Sequence, residues 1–181
     1  AGLLVHRVGG PPVRPYQPPG LWQEKSGKVS RAGRGDDLRR RSLYTFWRRT
    51  SPPPAMTMFD APAREVCRVD RPATTTPLQA LVLWNDPQFV EAAKLLAAAV
   101  IERETTDEAR FDLLFRITTA APPSDAIRET LRDTIARYRS RYENAPEDAA
   151  ALIAVGETMP PEGLDPAELA AWTMLANAVL C

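Results

Sequence analysis

The chain has 181 residues, 44% of them hydrophobic and 25% charged, with 23 Lys/Arg against 23 Asp/Glu. That is enough for one domain with a real core and is ordinary for a soluble globular protein. No apolar run approaches the ~18 residues that span a bilayer, so no membrane span is expected, and the balanced charge argues against a nucleic-acid partner, whose binding domains are usually basic throughout.

The balance hides a division. Residues 1–84 carry 14 Lys/Arg and 6 Asp/Glu, net +8; residues 85–181 carry 9 and 17, net −8. Opposite halves attract, so we expect residues 1–73 to form a Pro/Gly/Arg-rich arm and strap packed on a helical body, residues 74–181, in one structural domain. The first stretch, GLLVHRVGGPPVRPYQPPGLW, is too rich in proline for helix or sheet, because proline fixes φ and lacks a donor. It reads as extended, polyproline-like chain carrying the aromatics Tyr16 and Trp22.

DDLRRRSLYTFWRRT follows. Asp36 or Asp37 can cap a helix with Leu38 and Leu43 inward; SLYTFW also has strand-like composition. The helix is the reading adopted. In TSPPPAMTMFDAPAREV, Pro52–Pro54 stiffen a strap at small entropic cost, and Met56, Met58 and Phe59 are expected to plug apolar gaps.

From residue 74 the signals are helical. Thr76 before Pro77 and Asp86 before Pro87 are cap-plus-proline starts. They predict helices 77–84 and 87–104, broken at Asn85–Asp86. Phe89, Val90, Ala93, Leu96, Ala97, Val100 and Ile101 make the second one's inner stripe. Thr106 or Asp107 starts the next, with Ala109, Leu113, Leu114 and Ile117 inward and Pro122–Pro123 ending it. Ser124 opens another, with Ile127, Leu131, Ile135, Tyr138 and Tyr142 on one face. Its arginines are expected to pair with Glu129 and Asp133 along the same helix. PEDAAALIAVGET is a short helix stopped at Gly156. The last begins at Asp165, with Glu168 at capping-box spacing, and turns Leu169, Trp172, Leu175, Ala176 and Val179 inward. The expected class is all-α: an irregular bundle of five to six helices with an extended N-terminal arm. The closing AWTMLANAVLC lacks the Gly or cationic turn that ends helices, so the chain is expected to be a fragment of a larger protein. An exposed apolar end would then favour a homo-oligomer.

Candidate chemistry is sparse. His6 is the sole histidine and neither CxxC nor CxxCH occurs, so no metal site and no cofactor are expected in this chain. Carboxylates are the remaining catalytic option: Asp60 with Glu65 is the favoured pair, since two carboxyls ~5–9 Å apart can cleave a glycosidic bond. Tyr16, Trp22, Arg41, Trp47 and Arg48 are the favoured binding residues, because aromatics beside arginine are usual interface anchors.

GGPPVRPYQPPGLW, RRSLYTFWRRTSPPPAMTMFDAPAREVC and TTTPLQALVLWNDPQFVEAAKLLA, in that order and spacing, resemble the C-terminal domain, of unknown function, in planctomycete multidomain proteins that carry a cytochrome-c-like domain near their N-terminus. The resemblance covers essentially the whole chain. It implies part of a larger exported protein of the cell envelope or periplasm, with haem in a separate upstream domain. No catalytic residues are established for that domain, so none transfer. The expected function is a non-catalytic structural or binding module contacting the upstream domains or a glycan; the alternative is a hydrolase of polysaccharide or ester substrates.

Overall fold

The computed structural model describes residues 1–21, 31–63, 65–67, 69–70, 72–159 and 161–181. Among these the chain forms seven α-helices and no strand, so the all-α expectation holds. It divides into two compact units, Leu3–Val82 and Leu83–Cys181, the latter with Ala1–Gly2.

In the N-terminal unit the extended arm pairs with the segment after residue 34 at two isolated points. Val5 bridges Arg40 and Val13 bridges Thr45, both in parallel sense. The supporting bonds are Val5 N–H to Arg39 O at 3.0 Å, Val13 N–H to Tyr44 O at 2.8 Å and Phe46 N–H to Val13 O at 2.7 Å. Between the bridges the chain bows outward through Gly9 and Gly10, with φ of 76° and 93°, a backbone region open to glycine. The bow wraps the side chain of Arg40, which is only 7% exposed. Its guanidinium donates to the carbonyls of Arg7, Gly9 and Pro11 and lies 3.7 Å over the Tyr44 ring. Tyr44 Oη in turn accepts from Gly9 N at 2.9 Å.

These contacts correct the expected helix in residues 36–50. The segment instead forms two 3-10 turns, Gly35–Arg39 and Ser42–Tyr44, separated by extended Arg40. Pairing with the arm overrides local helix propensity, and Leu43, expected inward, is 76% exposed. The strap is also more regular than expected. α1, Pro54–Met58, is a single helical turn with Pro53 at its cap and Pro54 at its first position, places where a missing N–H costs nothing. Ser51 and Pro53 are the buried residues there, while Met56, Met58 and Phe59 are only half-buried.

α2 (Pro77–Asn85) lies in the N-terminal unit up to Val82, and the C-terminal unit is built from α3 (Pro87–Arg103), α4 (Asp107–Thr119), α5 (Asp125–Asn144), α6 (Pro146–Ile153) and α7 (Pro166–Leu180). The predicted starts are real. Asp86, Thr106, Ser124 and Asp165 each accept a backbone N–H at a helix N-terminus. α7 is the hub, packing against α3, α4, α5 and α6. Leu169, Ala170, Ala171, Trp172, Thr173, Leu175, Ala176 and Asn177 are all at most 1% exposed, the pattern of a helix buried on every side. Small residues on α3 and α7, such as Ala93, Ala97, Ala170 and Ala171, let the two backbones approach closely. In α4 the inner face is Phe111 and Leu114, which rotates the expected stripe and leaves Ile117 46% exposed. Ile127 likewise stands out at the first turn of α5.

Two charged residues lie inside the α3 core face. Lys94, 1% exposed, donates to the carbonyls of Ile153, Val155 and Thr158 at 2.9, 2.7 and 2.9 Å. Glu91 accepts from the amides of Glu157 and Thr158 at 3.0 and 2.6 Å. Together they fasten the loop after α6 onto α3. Gly156, at φ 90°, sits so close that a Cβ there would stand 2.5 Å from Glu91 Cδ. Lys94→Met removes the donor and leaves buried carbonyls unsatisfied, so it should cost about 3 kcal/mol in a urea denaturation series. Gly156→Ala should cost more than ~1 kcal/mol, and Arg137→Ala, on the exposed face of α5, less than ~0.5 kcal/mol.

Candidate functional site

A concave feature of the N-terminal unit forms where the strap turns into α2. After α1 the chain reverses at Asp60, whose φ of 57° is left-handed; aspartate is among the few side chains that tolerate it. One carboxylate oxygen, Oδ2, accepts from Thr74 N at 2.8 Å, Thr74 Oγ1 at 2.7 Å and Gln79 Nε2 at 3.4 Å. Gln79 is only 8% exposed. Its Nε2 also donates to Met58 O at 2.8 Å and Thr74 Oγ1 at 3.2 Å. Its position is set by α2 itself: Thr76 Oγ1 accepts from Gln79 N at 3.3 Å, and Gln79 Oε1 accepts from Thr76 N at 3.0 Å. This is a reciprocal capping box. Its glutamine does double duty, closing the helix start and tying down the 58–60 turn.

An open cleft of about 250 Å³ is lined by Phe59, Asp60, Pro72, Ala73, Thr74 and Gln79. Its lining combines apolar Phe59, Pro72 and Ala73 with the mutually hydrogen-bonded Asp60, Thr74 and Gln79.

Of the favoured catalytic pair, Asp60 lines this cleft. Glu65 is on an exposed stretch and is not among the lining residues. Tyr16, Trp47 and Arg48 are half-buried and Arg41 is exposed; none of the four lines the cleft. Arg41, Trp47 and Arg48 follow the turn that contains Arg40 and Tyr44, and nearby Arg14 lies over the Phe46 ring at 5.4 Å. Trp22 lies outside the described residues. His6 is exposed, and among the described residues no group of three or more His, Cys, Asp or Glu is arranged to hold a metal ion. Both cysteines are exposed.

The C-terminal unit holds a different polar cluster. Arg139 on α5 grips Asp107 with two bonds of 2.6 and 2.8 Å and Glu168 with two of 2.7 and 2.6 Å. Glu168 Oε1 also accepts from Arg110 Nη1 at 3.0 Å and Trp172 Nε1 at 2.9 Å. This corrects two expectations. Glu168 does not complete a capping box; its carboxylate is taken by arginines, while only its N–H bonds Asp165, at 2.8 Å. The α5 arginines pair between helices: Arg128 with Glu108 and Asp112, Arg132 with Glu108, Arg141 with Asp148. Bonds from Arg139 hold the Asp107 carboxyl below its ordinary range, against the effect of burial. Burial pushes Glu168 up, but Arg139, Trp172 and Arg110 outweigh it and leave it lowered. At the α3 cap, burial pushes Asp86 up, partly offset by the Gln88 amide.

Residues 1–135 match PSD1, a protein of unknown function (DUF1553). The chain belongs to the PSD1 family. The match takes in the whole N-terminal unit, including the cleft, and ends inside α5. Comparisons with curated proteins and with solved structures gave no match. Within this PSD1 chain, sequence reasoning missed Thr74 and Gln79. A usable signal was present: Thr76-x-x-Gln79 is the T-x-x-Q form of the capping box. Arg40, one of three consecutive arginines, carried no signal that set it apart from its neighbours.

The lowered carboxyls have a pH consequence. Asp107 and Glu168 bind protons less readily folded than unfolded, so their contribution is complete above the ordinary values of 3.8 and 4.5. It is lost as pH falls through the lower folded values. Urea midpoints measured against pH should therefore fall on the acid side, and Arg139→Gln should flatten that fall. Parallel curves for the two proteins would show that the cluster adds nothing.

Proposed function

We propose that this PSD1 chain is a non-catalytic binding module of a larger, exported protein of the cell envelope, of the planctomycete kind that carries a cytochrome-c-like domain upstream. Any haem belongs to that upstream domain. The module presents the arginine and aromatic surface of residues 38–59 to a glycan or to the upstream domains.

One observation carries this reading: the Asp60 carboxylate is a structural acceptor. Its Oδ2 holds the Thr74 amide, the Thr74 hydroxyl and Gln79, and its intended partner Glu65 stands outside the cleft lining. A general acid or a nucleophile has to meet its substrate with a group placed for transfer, in geometry matched to a second carboxyl. Arg40, by contrast, fixes Tyr44 and the turn that carries Arg41, Trp47 and Arg48, so a contact surface is held in place before any partner arrives, which lowers the entropic cost of binding.

The test is a glycan array read alongside a panel of glycan and ester substrates, using the chain as it stands. The expected result is retention on a glycan without turnover, weakened by Arg41→Ala and by Arg48→Ala. Retention by the upstream domains of the parent protein in place of a glycan would keep the module and name its partner. Turnover that disappears in Asp60→Asn or Glu65→Gln would replace this reading with a hydrolase.

A further inference from the structure

We infer that the bow of the N-terminal unit, the loop wrapped round Arg40, docks on the surface of an anionic lipid bilayer, with Val8 and Leu43 entering the headgroup layer and neighbouring arginines meeting lipid phosphates. A bilayer is a partner of a different kind from a glycan or an upstream domain. Among the described residues no helix is long and apolar enough to cross a membrane, so the contact lies on the bilayer and does not span it.

Val8 is 89% exposed, Leu43 76% and Leu4 50%. Single aliphatics on a surface are ordinary; what sets these apart is their mounting. Val8 stands between Arg7 and Gly9, whose carbonyls both accept from Arg40 Nη2. Leu43 precedes Tyr44, whose ring lies under the same guanidinium and whose Oη accepts from Gly9 N at 2.9 Å. Leu4 precedes Val5, whose N–H donates to Arg39 O at 3.0 Å. All three tips are carried by backbone gathered round one buried side chain, so a partner does not have to order them. The aromatic rings of Tyr44 and Phe46 are covered by Arg40 and Arg14, which leaves aliphatic carbon as the apolar face of the bow.

Charge selects the occupant. The segments that build the bow and its turns, residues 3–14 and 34–49, hold eight arginines against Asp36 and Asp37. Arg34, Arg41 and Arg49 are exposed, and the Arg7 side chain is 52% exposed at 3.7 Å from Asp37. Two acids cannot balance eight cations, whichever of them pair, and the excess complements the negative surface potential that anionic lipids give a membrane. A polyanionic glycan would meet the arginines but offers no apolar phase to Val8 and Leu43. A protein interface buries about 800 Å² per partner around aromatic anchors, which aliphatic tips beside covered rings do not supply. The outer layer of a bilayer takes aliphatic side chains and cations at one surface.

The experiment is co-sedimentation of the whole chain with vesicles of phosphatidylcholine alone or mixed with phosphatidylglycerol, at about 0.1 M and about 0.5 M salt. Binding should require phosphatidylglycerol and should fall at the higher salt, where screening shortens the reach of the charges. Arg41→Ala should weaken partitioning about fivefold, the effect of one basic side chain near an anionic surface, while Arg41→Lys should retain it. Val8→Ser combined with Leu43→Ser leaves the charge unchanged and should weaken partitioning about tenfold or more. These substitutions sit at exposed tips, where stability changes little, and the lipid and salt dependence of the wild type is a second, variant-free measure. Absence of binding to phosphatidylglycerol vesicles at the lower salt overturns the inference. Equal binding to phosphatidylcholine alone also overturns it, as does equal binding by the wild type and the double serine variant, which would reduce the contact to diffuse attraction.

Discussion

A single buried guanidinium organises the N-terminal unit. Residues 5–13 cannot form a sheet strand, because Gly9, Gly10, Pro11 and Pro12 interrupt any regular ladder. Among the described residues their backbone bridges the following segment at two isolated points, Val5 with Arg40 and Val13 with Thr45. The gap between these points is spanned by Arg40, which donates to three carbonyls of the bow and lies on Tyr44. A guanidinium presents five donors in a rigid, planar fork and is weakly hydrated. It can therefore satisfy several carbonyls at once where a buried cation would otherwise be costly. Carbonyls that a ladder would have paired are paired by a side chain instead.

The C-terminal unit uses the same logic with a lysine. Lys94 meets three carbonyls and Glu91 two amides of the loop after α6. The all-round burial of α7 supplies the apolar core, and the clip fixes the loop that α6 leaves behind. Burying a charge is favourable only when its hydrogen-bonding capacity is met; Lys94 and Glu91 use backbone groups for this, and Arg40 does so through its two terminal nitrogens while its buried Nε has no partner. Loops rich in glycine and proline, poor at pairing their own backbone, gain their order this way.

Much of the helical architecture was legible because its signals are local. Thr76–Pro77, Asp86–Pro87, Thr106, Ser124 and Asp165–Pro166 mark starts by a mechanism confined to a few residues, and each one lies at a helix start. Partner choice was far less legible. Arg128, Arg132 and Arg139 have acids three or four residues away on their own helix, yet they bond Glu108, Asp112, Asp107 and Glu168 on other helices. Sequence spacing defines a neighbour on one helix and says nothing about the facing one. Glu91 and Lys94 fall on an otherwise apolar stripe, a pattern that points to buried charge, but their partners are backbone groups some sixty residues on. The cleft was half legible. Asp60 stood out by composition, while Thr74 and Gln79 became part of the site only through a turn that brings residues 58–60 against the start of α2. In residues 36–50 a helix reading failed because its competitor was a contact with an arm more than thirty residues earlier.

The claim that Arg40 orders the arm is open to direct measurement by hydrogen exchange at the Val5, Val13 and Phe46 amides in the native protein and in Arg40→Lys. A lysine keeps the charge but has one compact donor head, which cannot reproduce a fork reaching Arg7, Gly9 and Pro11 together. All three amides should exchange faster in the variant, by about tenfold for each 1.4 kcal/mol of lost local stability. Unchanged protection at Val13 and Phe46 would mean that the two bridges hold the arm unaided, and the central role given to this guanidinium would be wrong.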